Sequence, residues 1–231
     1  MNHNDCKRVI GALPFTDGPT KLIAIGSETI YLEEMDTTQK RDYIALSYCW
    51  GKHNPEWYTT GQNFNSYLEH IDCDVLPKTI KDAVHITRQL GYEYLWVDAL
   101  CIIQKGNEND KVSELRKMAS IYCGASVVLS AARVRSSEEG FLHNRKVDKI
   151  YDIVFELHAI VEGIGTHAFF LHECSTDDSE DEPIDKRAWT LQEHSLAVRL
   201  LRFGSKQTRW MCLHEGPNID GGCDCSKTNY H

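Results

Sequence analysis

Gly91-Tyr92-Glu93-Tyr94-Leu95-Trp96-Val97-Asp98-Ala99-Leu100-Cys101-Ile102-Ile103-Gln104 decides the fold. Its first residue suits the end of a helix, because glycine enters the left-handed region without steric cost. Tyr94 to Val97 then reads as a short buried strand, and Asp98 stands where that strand emerges. Open α/β sheets bind ligands outside the carboxyl ends of their strands. One segment therefore predicts both an architecture and the place of a site.

The flanking sequence extends the pattern in both directions. Upstream, Ile80, Ala83, Val84, Thr87 and Leu90 fall on one face of a helix whose first turn contains Pro77. Before it, Phe64, Tyr67, Leu68 and Ile71 have helical spacing, and residues 43–48 form an apolar strand that ends in Cys49-Trp50-Gly51. Downstream, Asp110 is an N-cap candidate for a helix with the apolar face Val112, Leu115, Met118, Ala119 and Tyr122, closed by Gly124. Residues 126–131 make another strand. The order strand, helix, strand, helix, strand predicts an α/β fold with a parallel sheet covered by helices.

The two ends differ in pattern. Residues 8–32 read as short strands separated by Gly and Pro, predicting an N-terminal region 1–42 packed on the core at 43–134. Residues 150–171 predict an antiparallel pair. Trp189 to Leu196 reads as helix, and 198–203 and 208–212 as two strands around Gly204-Ser205. These elements predict an appended β-rich lobe at 135–215, followed by a flexible tail at 216–231.

Composition narrows the function. The net charge of -9 over 231 residues argues against a general electrostatic grip on nucleic acid or anionic membrane. Much of the acidity lies in one run from Glu173 to Asp185, which reads as a solvated loop. No run reaches the ~20 apolar residues of a membrane helix. Met1-Asn2-His3-Asn4-Asp5 lacks the basic start and apolar stretch of a secretory signal. The expectation is a cytoplasmic protein whose nine cysteines are mainly reduced core residues.

Several clusters carry potential chemistry. Asp98 faces the expected crevice. Glu114 sits about 100° from the centre of its helix's apolar face, where a carboxylate is usually solvent-facing or paired with a cation such as Lys111 or Lys117. Ser47, Tyr48, Trp50 and Gly51 follow the first core strand and could line a pocket for a planar ring, although on the residues alone core packing around a tight turn is the favoured reading. Arg187-Ala188-Trp189-Thr190-Leu191-Gln192-Glu193 brings a cation, an aromatic ring and polar groups from the C-terminal region. Cys212, His214, Cys223, Cys225 and His231 lack the usual spacing of a zinc ladder, so no metal is assigned. Phosphate-loop, dinucleotide-fingerprint, nucleophile-elbow and zinc-protease motifs are absent from the sequence.

Three ordered blocks together resemble a known family. They are Tyr43 to Gly51; Leu76-Pro77-Lys78-Thr79-Ile80 through Gln104 and on to Glu114, Met118, Ile121-Tyr122 and Ala125; and Arg187 to Glu193 with Arg199 to Phe203 and Trp210-Met211-Cys212. The chain is similar to the HET domain, the heterokaryon-incompatibility domain of filamentous fungi. Lys111 stands where the family commonly has tryptophan, Ala188 where it has glycine, and Leu196-Ala197-Val198-Arg199 where Leu-Ser-Pro-Arg is common.

The resemblance implies non-self recognition and regulated cell death. Through the family's remote similarity to TIR domains, it also implies a TIR-like, flavodoxin-like core and NAD as a substrate, with no tightly bound cofactor. Glu114 then matches the TIR helix glutamate as the catalytic residue, with Asp98 in support. Ser47, Tyr48, Trp50, Gly51, Arg187, Trp189, Gln192 and Glu193 would line the binding site. The alternative is a non-enzymatic module that self-associates or recruits cell-death partners through Trp57, Tyr58 and the acidic run. Under either reading the expectation is a stand-alone HET protein or one whose sensor is a separate chain.

Overall fold

The computed structural model describes residues 18–27, 29–36, 41–51, 57–144, 154–161, 165–172, 182–187, 190–212 and 218–219. The first of two compact units runs from residue 1 to 142 and resumes at 182; the second spans His143–Asp181.

The first unit is built on an eight-stranded sheet. Its strands are β1 (Lys21–Ile25), β2 (Ile30–Glu34), β3 (Ile44–Ser47), β4 (Tyr94–Trp96) and β5 (Val127–Ser130), then β8 (Arg199–Phe203), β9 (Thr208–Cys212) and β10 (Asn218–Ile219). They lie in the order β10-β9-β8-β5-β3-β4-β1-β2. The central four, β8, β5, β3 and β4, are parallel. β1, β2, β9 and β10 extend the two sides in antiparallel pairs. Every residue of β3 and β5 is buried, as expected for parallel strands covered on both faces. The chain passes from β3 to β4 on one side and later to β5 on the other. The strand order thus reverses about β3, the kind of point where open sheets leave a crevice.

The helices of this unit are α1 (Phe64–Glu69), α2 (Lys78–Gln89), α3 (Asp98–Cys101), α4 (Glu108–Arg116), α5 (Met118–Gly124) and α6 (Thr190–Leu196). Helix α2 buries Ile80, Ala83, Val84 and Thr87 of its predicted apolar face, whereas Leu90, just past its end, is exposed. Gly91 turns the chain out of it at φ 77°, a conformation that disfavours a side chain.

The second unit contains β6 (Val154–Val161) and β7 (Gly165–His172), an antiparallel pair as expected.

Several expectations are corrected. The lobe predicted over 135–215 does not form as one body. β8 pairs in parallel with β5, through Val128↔Leu200 to Ser130↔Arg202, and so belongs to the core sheet. The apolar residues of Arg199–Phe203 cover an edge of β5 that would otherwise stand unpaired. At the other side, β1 hydrogen-bonds β4 and continues the sheet instead of merely packing on it. In the predicted tail, Asn218 and Ile219 pair with Trp210 and Arg209 of β9.

The helix predicted from Asp110 to Gly124 is two helices. Its N-cap is Asn107, whose side chain accepts from the Asp110 N–H at 3.1 Å, and α4 closes at Lys117 before α5 begins. That break resets the helical phase, so an apolar face drawn through both halves misplaces the first. Val112 and Leu115 are 46% and 48% exposed, whereas Glu114 is 1% exposed. Trp57 and Tyr58, expected as surface aromatics, are buried in the core cluster. Within the acidic run, Glu182 is buried and accepts from the Ser205 backbone N–H and hydroxyl at 2.6 and 2.8 Å. Asp185 pairs with Arg202 at 2.6 Å. These two carboxylates therefore have protein partners instead of a purely solvated setting.

Candidate functional site

Ser47 ends β3 and Trp50 follows it; Asp98 follows β4; Arg187 lies before α6 and Glu193 within it, and α6 leads into β8. All arrive at the carboxyl edge of the parallel strands, where a cavity of about 230 Å³ opens. Its polar lining is Asp98, Glu193, Arg187, Lys111 and Gln104, and its apolar lining is Trp50, Ile102, Leu115 and Met118. Ile102, Met118 and Glu193 are buried, with Glu193 2% exposed, whereas Leu115 reaches solvent. Burial thus deepens from the α4 wall towards Glu193.

Short-range bonds fix the two carboxylates. The Asp98 carboxylate accepts from the Trp50 indole N–H at 3.1 and 2.9 Å and from the Ala99 N–H at 2.7 Å. The Glu193 carboxylate accepts from the Ser47 hydroxyl. Arg187 donates to the Tyr48 carbonyl, which holds its guanidinium beside both acids. Gln104 donates to the carbonyls of Asp98 and Ile102 at 2.9 and 3.1 Å, closing the turn after α3.

This environment perturbs both acids. Burial pushes the Asp98 carboxyl up to about 6; Arg187 pulls against that shift and Glu193 adds to it. Burial likewise raises Glu193, opposed by the Ser47 hydrogen bond and by Arg187. The Tyr48 phenol is held protonated, first by burial and then by Asp98. Two carboxylates with raised proton affinity, lining one cavity with a cation that acts on both, form an arrangement suited to acid–base work on a bound molecule.

The remaining predicted site residues fall as follows. Ser47 and Tyr48 stand directly behind the cavity, in contact with its lining residues. Gly51 makes a turn at φ 94°, where an added Cβ would meet the Ser136 Cβ at 2.7 Å; its role is close backbone approach. Trp189 and the side chain of Gln192 lie outside the described residues. Glu114 lies on α4 but away from the cavity: it pairs with Lys117 at 3.3 Å and accepts from the Thr20 N–H at 3.4 Å. The same helix instead offers Lys111 and Leu115 to the cavity. In the sequence Lys111 reads as a possible partner for Glu114 and as a departure from the family's tryptophan, not as a cavity residue. Its i, i+4 spacing with Leu115, on a helix entered from the strand edge, was the available signal.

Fold and site define an α/β protein with a paired-carboxylate cavity at the carboxyl edge of its parallel strands. The chain belongs to the heterokaryon incompatibility family: residues 43–193 match the family described as Heterokaryon incompatibility protein (HET). It is 28% identical over 180 residues to Heterokaryon incompatibility protein 6, OR allele, of Neurospora crassa, an alignment covering 73% of this chain and 25% of that protein. The chain thus spans about a quarter of the length of the curated relative it matches. No solved structure matches. Among the described residues, no helix is long and apolar enough to cross a membrane.

Proposed function

We propose that this HET domain is an effector of fungal non-self recognition that hydrolyses NAD at the nicotinamide–ribose bond, in the Asp98–Arg187–Glu193 cavity. The observation that carries the reading is the placement of two carboxylates of raised proton affinity, Glu193 buried and Asp98 half-buried, in one cavity with an apolar wall. The parallel order β4-β3-β5-β8 supports a flavodoxin-like core, since it is the order of doubly wound sheets that bind ligands where the strand order reverses.

In this reaction the C1′–N bond breaks and its electron pair goes to the pyridinium nitrogen, so nicotinamide leaves neutral. Positive charge builds on the ribose, and a facing carboxylate stabilises it. Glu193, oriented by Ser47, takes that role. Water then bonds to C1′ and loses a proton to Asp98, ionised at neutral pH yet more basic than an ordinary aspartate. The products are nicotinamide, ADP-ribose and one proton. Trp50, Ile102 and Met118 supply apolar surface for the planar ring. This assignment moves the essential carboxylates from Glu114 to Asp98 and Glu193.

The test is nicotinamide release from NAD, followed chromatographically at low and high protein concentration. The panel is wild type, Asp98→Asn, Glu193→Gln and Glu114→Gln, with toxicity on expression scored in parallel. Loss of turnover and toxicity in the first two variants, with Glu114→Gln retaining turnover, supports the assignment. Loss confined to Glu114→Gln would return catalysis to the helix glutamate. A wild type that associates and kills without releasing nicotinamide would favour a non-enzymatic signalling module.

A further inference from the structure

Lys111 places a cation in the cavity wall that nothing in the proposed bond cleavage uses. Its ammonium donates to the Gln104 carbonyl at a long 3.4 Å, and among the described residues it forms no ion pair. The other cavity cation, Arg187, is already committed beside Asp98 and Glu193. Lys111 also comes from the α4 wall, one turn before the solvent-reaching Leu115, while Glu193 lies at the buried side. Glu193 thus lies where burial is deepest, while the Lys111 ammonium comes from the wall towards the opening.

The volume agrees with a divided ligand. About 230 Å³ lies below the ~300–1,000 Å³ of pockets that enclose a whole drug-sized molecule. A ring and its sugar would occupy such a space, and the rest of a larger substrate would leave past α4. An ammonium on a flexible stem at that exit acts as a point charge for phosphate.

We infer that the cavity selects substrates bearing a phosphate beyond the sugar, and that Lys111 is the residue that recognises that phosphate. This rests on the proposed glycoside hydrolysis, and it commits that site to phosphorylated N-ribosides over the bare nucleoside. Asp98 and Glu193 act on the bond; Lys111 acts on the tail.

The experiment compares NAD and nicotinamide mononucleotide with nicotinamide riboside, which lacks the phosphate, on the full chain. Lys111→Met and Lys111→Arg are tested beside wild type. Expected is a wild-type kcat/KM at least tenfold higher for the phosphorylated substrates. Lys111→Met should abolish that preference, mainly through KM, without changing riboside turnover, and Lys111→Arg should retain most of it. An equal loss on all three substrates, or no loss on any, overturns the inference. If wild type turns over none of them, the hydrolase reading falls and calorimetry decides this one. Saturable ADP-ribose binding weakened tenfold or more by Lys111→Met supports it, and absent or unaffected binding refutes it. Thermal melts confirm that both variants are folded.

Discussion

The indole N–H of Trp50 is shared between the two carboxylate oxygens of Asp98, at 3.1 and 2.9 Å. The bond joins the segment after β3 to the start of α3 and favours the ionised acid against the effect of burial. Trp50→Phe keeps an aromatic ring and removes the donor. A hydrogen bond to a charged group contributes about 1.5–3 kcal/mol, so its loss should raise the Asp98 pKa further. Activity should then require a higher pH, with the acidic limb of the kcat/KM profile moved up by about one unit. An unmoved limb in an active Trp50→Phe variant would detach this bond from Asp98 titration.

Asp98 itself should trade stability for function. Its pKa is raised from 3.8 to about 6 in the folded protein, so between those values the folded state binds more protons than the unfolded chain. Its contribution to stability is fully present below about 4 and is lost as pH rises through about 6. Asp98→Asn removes this ionisation. The variant should be more stable than wild type by about 1 kcal/mol at pH 8, with the advantage vanishing near pH 4, as read by urea denaturation at both pH values. Asparagine still offers one carbonyl to Trp50, which limits the packing cost. A variant less stable at pH 8 than wild type would contradict the burial penalty.

Much of this site was legible because its residues follow strand ends. Asp98, Ser47 and Trp50 are marked by periodicity and turn chemistry, and Arg187 and Glu193 by their clustering of charge beside an aromatic as well as by the family blocks. What failed was phase. A wheel drawn through Lys117 put Leu115 inside and Glu114 at a border, but the chain breaks there and reverses that reading. Nor does local pattern reveal that Leu200 and Leu201 pair with β5. Strand partners distant in sequence leave no periodic trace, so a core strand was read as part of a separate lobe.

Ser47→Ala tests the second carboxylate. Ser47 and Glu193 are both buried, and the hydroxyl is a donor that favours the charged acid. Removing it leaves a buried acceptor one partner short, costing about 1–3 kcal/mol. The direction with pH follows from the already raised Glu193 pKa. The loss should be larger at pH 8, where the charge must be held, than at pH 4, below the ordinary value of 4.5, where protonation relieves it. A destabilisation equal at both pH values would mean that Ser47 contributes packing alone.

Lys21 lies outside the family match, whereas its partner Asp110 lies inside it. Lys21 on β1 is buried and pairs with Asp110 on α4 at 2.5 Å. Asp110 also accepts from the Ile103 N–H at 3.1 Å, and the Thr20 N–H reaches Glu114. The segment before residue 43 therefore anchors the helix that carries Lys111 and Leu115 to the cavity. Breaking one side of a fully buried pair leaves the other charge uncompensated, at about 3–5 kcal/mol, and Asp110 is half-buried, which lowers that cost. Lys21→Met should approach the lower figure because Asp110 keeps the Ile103 donor. Lys21→Met combined with Asp110→Asn should recover part of the loss, giving a coupling of about 1 kcal/mol or more in a double-mutant cycle. Additive losses by urea denaturation would show the two residues to be independent and α4 to be held by apolar packing instead.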